Sequence, residues 1–371
     1  MSAAEPLPTM YELFRNRAGD SHPAMLFEDE SYTYAELVDA AAARASLAAS
    51  LRRDGPFHIG VLLDNIPEFP MWYGAAALGR STIVGINPTR RGAELARDIR
   101  HTDCQLIVTE SRHRPLLDGL DLGIDDDRIL VVDSPEYDAR LEPHRGAAVP
   151  AEPAEPGDLY VLLFTSGTSG APKACLCSQG RLARIGTYVA RGYGFGPDDV
   201  VYEVMPLFHS NALMAGWAAA IAAGVTVALR RKFSASGFLP DVRKYNVTFF
   251  NYVGKPLSYI LATPEQPDDA DNTLRIVFGN EGAERDLERF RERFNTVVID
   301  NYGSTEGGAM VQRQPDQPPG ALGRAPEGTV VLNPETGEEC APARFDDQGH
   351  LLNPDEAIGE LVNKLGATGF E

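Results

Sequence analysis

Five short, mainly apolar runs in this chain each end abruptly in a loop of polar or aromatic residues, and that recurrence limits the fold more than any other feature. The runs are 159–164, 201–205, 247–250, 275–278 and 296–300. Runs of this length, bounded by turn-formers and alternating with helical stretches such as 34–51 and 283–294, read as buried strands. Further strands are expected at 59–63, 105–109 and 129–132. The alternation predicts an α/β protein with largely parallel sheets. In open sheets of that kind ligands gather beyond the carboxyl ends of the strands, so the five loops point to a single site.

Two of these loops carry recognisable chemistry. Leu159–Phe164 opens into Thr165-Ser-Gly-Thr-Ser-Gly-Ala-Pro-Lys173. Its glycines let backbone N–H groups turn inward as an anion nest, the hydroxyls of Thr165, Ser166, Thr168 and Ser169 add donors, and Lys173 brings a mobile charge. By composition alone a flexible surface turn explains the stretch equally well. Spacing excludes the common alternatives. Pro172 and Ala174 flank Lys173, so no Walker Gly-Lys-Ser/Thr exists. Neither the Gly-x-Ser-x-Gly elbow nor the Ser-x-x-Lys pair fits, which removes covalent serine catalysis. The run 296–300 opens into Asn301-Tyr-Gly-Ser-Thr-Glu306. Here Tyr302 offers a face for a purine, Thr305 a hydroxyl for a phosphate oxygen and Glu306 a carboxylate for Mg²⁺. A Tyr-Gly turn followed by a solvated Glu is the plain account of that loop taken alone.

Together the two loops resemble the signatures of the adenylate-forming superfamily of acyl-CoA synthetases, luciferases and peptide-synthetase adenylation domains. The resemblance spans nearly the whole chain, including 10–14, 32–37 and 60–68. Within it, 86–92, 251–255, 278–282 and 359–364 are similar to the fatty-acid-transport-protein-like, very-long-chain branch, with Gly279-Asn280-Glu281 where many relatives carry a Gly-Ala-Pro-like turn. The resemblance implies an adenylating domain of two packed α/β subdomains and a small, incomplete β-barrel region. Three regions follow: 1–157, 158–314 interleaved with the first, and 315–371.

By the same resemblance, Thr165, Ser166, Gly167, Thr168, Ser169, Gly170 and Lys173 hold the β- and γ-phosphates. Gly279, Asn280 and Glu281 line one side of the adenine, Tyr302 stacks on the other, and Asn301 bonds its edge. Gly303 and Ser304 belong to the nucleotide-binding set, Thr305 touches the α-phosphate, Glu306 binds Mg²⁺, and His209 sits near the acyl carboxylate. Trp217, Tyr252 and Val253 are acyl-pocket candidates, although an aromatic among alanines also reads as core. The implied reaction joins a fatty acid to ATP as acyl-AMP and then to coenzyme A, so the expected cofactors are ATP, Mg²⁺ and coenzyme A, with Thr305, Glu306, His209 and Lys173 in the catalytic roles. The alternatives are a fatty acyl-AMP ligase that serves a carrier protein and a non-catalytic adenylate-binding module. Family members continue into a Thr-Gly-Asp segment and a lid with a lysine. Because the sequence stops at Glu371, a shortened form with weakened binding is expected.

Composition is consistent with a large enzyme of this kind. In 371 residues, 34 Lys and Arg stand against 53 Asp and Glu, and the net charge of −19 argues against nucleic acid and against a polybasic membrane surface. An anionic ligand must therefore be held by local donors. Four scattered cysteines and a start without a basic-then-apolar segment imply a reducing cytoplasm. Cys175-Leu-Cys177 lacks a second pair at zinc spacing. The uncharged stretch 212–229 approaches the ~18 residues of a membrane span. Gly224 divides it into a small-residue helix and a strand, so it reads as soluble. Peripheral association with lipid stays compatible with greasy substrates, without an amphipathic basic helix to support it.

Overall fold

A computed structural model of the chain describes residues 8–165, 173–307, 310–313 and 321–364. Its strands, in chain order, are β1 (Pro23–Phe27), β2 (Glu30–Thr33), β3 (His58–Leu62), β4 (Thr82–Gly85), β5 (Cys104–Thr109), β6 (Ile129–Val131), β7 (Leu159–Thr165) and β8 (Lys173–Ser178). They continue as β9 (Val200–Glu203), β10 (Thr226–Leu229), β11 (Phe249–Val253), β12 (Ile276–Asn280), β13 (Val297–Gly303), β14 (Met310–Gln312), β15 (Thr329–Leu332) and β16 (Glu360–Asn363). One sheet runs β14-β13-β12-β11-β9-β10-β1-β2 and a second runs β6-β5-β3-β4-β7-β8. Pairing is parallel except at the margins, where β1–β2, β13–β14 and β7–β8 are antiparallel. β4, β9 and β10 are buried at every position, as parallel strands covered by helices on both faces must be.

The sheets do not divide at residue 157. β7 and β8 complete the sheet built by residues 58–131, whereas β1 and β2 join the sheet built by residues 200–312. The small β region contains the antiparallel pair β15–β16 and, among the described residues, no closed barrel.

Local sequence fixes the helices. In Tyr34–Leu51 the Thr33 hydroxyl accepts from the Glu36 N–H while the Glu36 carboxylate accepts from the Thr33 N–H, a capping box that satisfies two orphan donors. Its alanines allow close packing on the helix Glu68–Gly79, and Arg44 reaches across to Glu68. Glu284–Phe294 has acids in its first turn and Arg291 and Arg293 in its last, which suits the helix dipole, and it ends at Asn295 in the left-handed region. The stretch 212–229 forms a π-helical turn (Ala212–Trp217), a helix (Ala218–Ala223), a break at Gly224 and strand β10. Among the described residues no helix is long and apolar enough to cross a membrane.

Candidate active site

The carboxyl ends of β9, β11, β12 and β13 and the β7–β8 hairpin surround one cavity of about 830 Å³. Its wall contains Thr165, Lys173, His209, Val253, Asn280, Glu281, Asn301, Tyr302, Gly303, Ser304, Thr305 and Glu306, so strand-end logic brings most of the predicted residues together. The apolar side of the wall comes from Ile185, Val189, Met214, Ala215 and Phe278.

The hairpin and the loop after β13 meet at the phosphate end. Thr165 closes β7 directly across from Lys173, which opens β8, so the register sets a hydroxyl and an ammonium group at the two ends of the intervening loop. Ser166, Gly167, Thr168, Ser169 and Gly170 lie outside the described residues. Thr165 Oγ1 donates to Glu306 Oε1 at 3.1 Å, joining the two signatures in space. Thr305 Oγ1 donates to Ser210 Oγ at 2.9 Å, which ties the second signature to the His209 loop.

The His209 loop is held by the segment that follows β3 and by the helix Glu68–Gly79. Asn65 donates through Nδ2 to the Met205 carbonyl at 2.8 Å and accepts from the Leu207 N–H at 2.9 Å, while the Tyr73 hydroxyl donates to the Leu207 carbonyl at 2.8 Å. A side-chain amide that replaces both lost strand partners fixes the backbone as a ladder would. The His209 ring is open to the cavity, and desolvation by the surrounding wall lowers its pKa against an opposing pull from Glu281. Neutral imidazole is therefore the favoured form near neutrality. The π-helical turn that follows is a form frequent at functional sites.

Three predicted residues sit behind the wall. Gly279 is buried and does not face the cavity; a Cβ there would lie 2.4 Å from the Tyr252 ring, so glycine is required for close approach. Tyr252 is fully buried and donates through its hydroxyl to Asp300 Oδ2 at 2.6 Å, and the same oxygen accepts from the Gly282 N–H at 2.8 Å. Tyr252 thus shapes the 279–282 loop from below. Trp217 is likewise fully buried and packs on Phe14 in the core. Its place is the plain one for an aromatic among alanines.

Sequence reasoning missed Arg181, Ser210, Asn211 and Asn65. Arg181 is buried at the cavity wall and donates through Nη2 to the Thr305 carbonyl at 2.6 Å and through Nη1 to the Leu176 carbonyl at 3.0 Å. It therefore holds the main chain of the second signature against β8. No local pattern separates it from a solvated arginine on a helix. Ser210 and Asn211 directly follow His209 and could have been read with it.

Two other features compete as sites. Asp64, Glu110 and His113 gather their ligand atoms within 4.8 Å. Arg112 reaches Asp64 at 2.7 Å and Arg231 reaches Glu110 at 2.5 Å, so two guanidinium groups already neutralise the carboxylates and the cluster is an ion-pair network. A second cavity of about 960 Å³ opens at the opposite ends of β3, β4 and β7, away from all predicted residues, beside the Arg80–Asp158 pair.

The chain is similar to several known proteins. A steroid-22-oyl-CoA synthetase of Rhodococcus jostii is 53% identical over 98% of this chain and 66% of its own length. A medium/long-chain-fatty-acid–CoA ligase of Mycobacterium marinum is 47% identical over 98% of this chain and 69% of its own length. Human long-chain fatty acid transport protein 5 is 34% identical over 92% of this chain and 53% of its own length. The inhibitor-bound N-terminal domain of FACL13 from Mycobacterium tuberculosis superposes with a TM-score of 0.76 at 20% identity, covering 91% of this chain and 87% of that one. The chain spans about two thirds of the length of the first two relatives. The profile of the AMP-binding enzymes matches residues 14–363, so the chain belongs to that family.

Proposed function

We propose that this chain is the adenylating part of an ATP-dependent ligase that activates a fatty carboxylic acid as acyl-AMP for transfer to coenzyme A. The observation that carries the reading is the single cavity in which the Thr165–Lys173 hairpin ends, the Asn301–Glu306 loop and an apolar wall converge. The fatty carboxylate oxygen attacks the α-phosphorus of ATP; an O–P bond forms and the bond to pyrophosphate breaks. Such a step asks the protein to position the reactants and to offset charge on the phosphorus, where one well-placed donor is worth roughly 3 kcal/mol.

In this reading Tyr302 stacks on the adenine, Asn280 and Asn301 set its edge, and Thr305 bonds the α-phosphate. Thr165 and Lys173 take the pyrophosphate portion, and neutral His209 donates toward the acyl carboxylate. Glu306 would supply a hard oxygen ligand for Mg²⁺, beside the Thr165 hydroxyl that donates to it. One protein carboxylate with phosphate oxygens and water is the donor set Mg²⁺ favours. When bound, the ion offsets phosphate charge.

The apolar wall of Ile185, Val189, Met214, Val253 and Phe278 favours a long hydrocarbon chain. A second reading, a steroid side-chain acid, rests on the 53% identity with the Rhodococcus relative. Thr305→Ala and Glu306→Ala should each lower acyl-adenylate formation by about 100-fold in a single-turnover assay while the melting temperature stays near wild type. Unchanged adenylate formation in either variant with wild-type melting would falsify these roles.

A further inference from the structure

Glu203 at the end of β9 is fully buried, and burial raises its pKa well above the ordinary carboxylate range. Among the described residues it makes no ion pair. The Asn251 side chain and the Met205 N–H approach its oxygens and pull its pKa down, against the larger effect of burial. Neither closes a hydrogen bond of ordinary geometry, so both carboxyl oxygens and Asn251 Oδ1 stand as buried acceptors without a donor. Acceptors that face one another are costly unless one of them carries a proton. A proton on Glu203 supplies that donor.

From Asn251 the amides run in one direction. Asn251 Nδ2 donates to Asn211 Oδ1 at 2.9 Å, Asn211 Nδ2 donates to Asn280 Oδ1 at 3.2 Å, and Asn280 Nδ2 donates to the Asn301 carbonyl at 2.6 Å. Asn211 also donates its N–H to His209 Nδ1 at 3.3 Å. The chain crosses the ends of β9, β11, β12 and β13 and reaches the cavity at Asn211, Asn280 and Asn301. It passes the π-helical turn, where a Cβ on Gly216 would lie 1.8 Å from Glu203 Oε2, so glycine at 216 makes room for the carboxyl group.

We propose that Glu203 is a positioning residue: as a neutral carboxylic acid it donates to Asn251 Oδ1 and closes the buried end of an asparagine relay that holds Asn280 at the cavity for the nucleotide. The proposal rests on the adenylate reading of the cavity. The Asn301 carbonyl can only accept, so it fixes in turn the direction of Asn280, Asn211 and Asn251 and leaves Asn251 Oδ1 as the acceptor beside Glu203, where a protonated acid supplies the missing donor. The acid does not touch the substrate.

The test is titration of the full 371-residue chain with a non-hydrolysable acyl-sulfamoyl adenosine, together with infrared difference spectra of wild type against Glu203→Gln. Glu203→Gln keeps an N–H donor for Asn251 and should bind within about twofold of wild type. Glu203→Leu keeps the volume but not the donor and should bind about tenfold more weakly, the equivalent of one lost hydrogen bond. Its gain in affinity per added acyl carbon should stay that of wild type, a selectivity that general loosening of the fold does not give. The spectra should show the carbonyl stretch of a protonated acid that is absent in Glu203→Gln. Loss of binding in Glu203→Gln equal to that in Glu203→Leu, wild-type affinity in Glu203→Leu, or no such band would overturn the proposal. Failure of the wild type to bind would bring down the adenylate reading and the positioning role with it; a band that persists would place that failure in the reading and not in the proton on Glu203.

Discussion

At the scale of single residues, burial of Glu203 has a consequence for stability. Its raised pKa means that the native chain keeps a proton which the unfolded chain releases above about pH 4.3. The contribution of this group is fully present below that pH and declines as pH rises toward the native pKa. Glu203→Gln removes the dependence, so its melting temperature relative to wild type should climb as pH increases from about 4.3; a relative melting temperature that falls over that range contradicts a buried neutral acid. Gly216→Ala drives a methyl group into the same carboxyl and should cost about 1–3 kcal/mol in denaturant unfolding. Residue types were legible where chemistry follows from the side chain alone. Thr165, Lys173, Tyr302, Thr305 and Glu306 were legible through the resemblance of their two loops to family signatures, because each loop taken alone reads equally as a turn. Glu203 was not, because its meaning lies in a partner 48 positions away, Asn251, and in the gap left by Gly216.

At the scale of elements, the strand-to-loop transitions were readable because a parallel strand buried on both faces must be apolar and its loop need not be. The helix Tyr34–Leu51 and the helix–strand division at Gly224 follow from capping and from a residue suited to the left-handed region. What sequence could not give was the anchoring of one element by another. Met205 to Leu207, which deliver His209, hang on Asn65, which follows β3 of the second sheet, and on Tyr73 of the helix Glu68–Gly79. Asn65→Ala removes two hydrogen bonds and leaves a buried carbonyl and N–H unpaired. It should destabilise the chain by about 2–4 kcal/mol and slow adenylate formation more than Tyr73→Phe, which loses one. Equal effects from the two variants would show that the His209 loop does not depend on the amide. Tyr252 makes the same point in reverse: it lies in β11 next to the site, yet the pleat turns it inward beneath Gly279.

At the scale of the whole molecule, the cavity lies where two sheets meet, and the first of them combines strands from residues 23–33 with strands from residues 200–312. Long-range pairing of β1 with β10 and of β7 with β4 makes the cavity a product of the complete fold. Beyond the cavity, Arg231 from the first sheet pairs with Glu110 and lies 3.5 Å from Asp64 on the second. Because Glu110 is buried while Arg231 is partly open to water, Arg231→Met should lower stability by about 1–3 kcal/mol. The most direct test of the account is calorimetric titration of the chain with acyl-sulfamoyl adenosines of graded acyl length, with Tyr302→Ala as control. Affinity should rise with acyl length along the apolar wall and fall in the control, whereas affinity that ignores both acyl length and Tyr302 would contradict an acyl-adenylate site in this cavity.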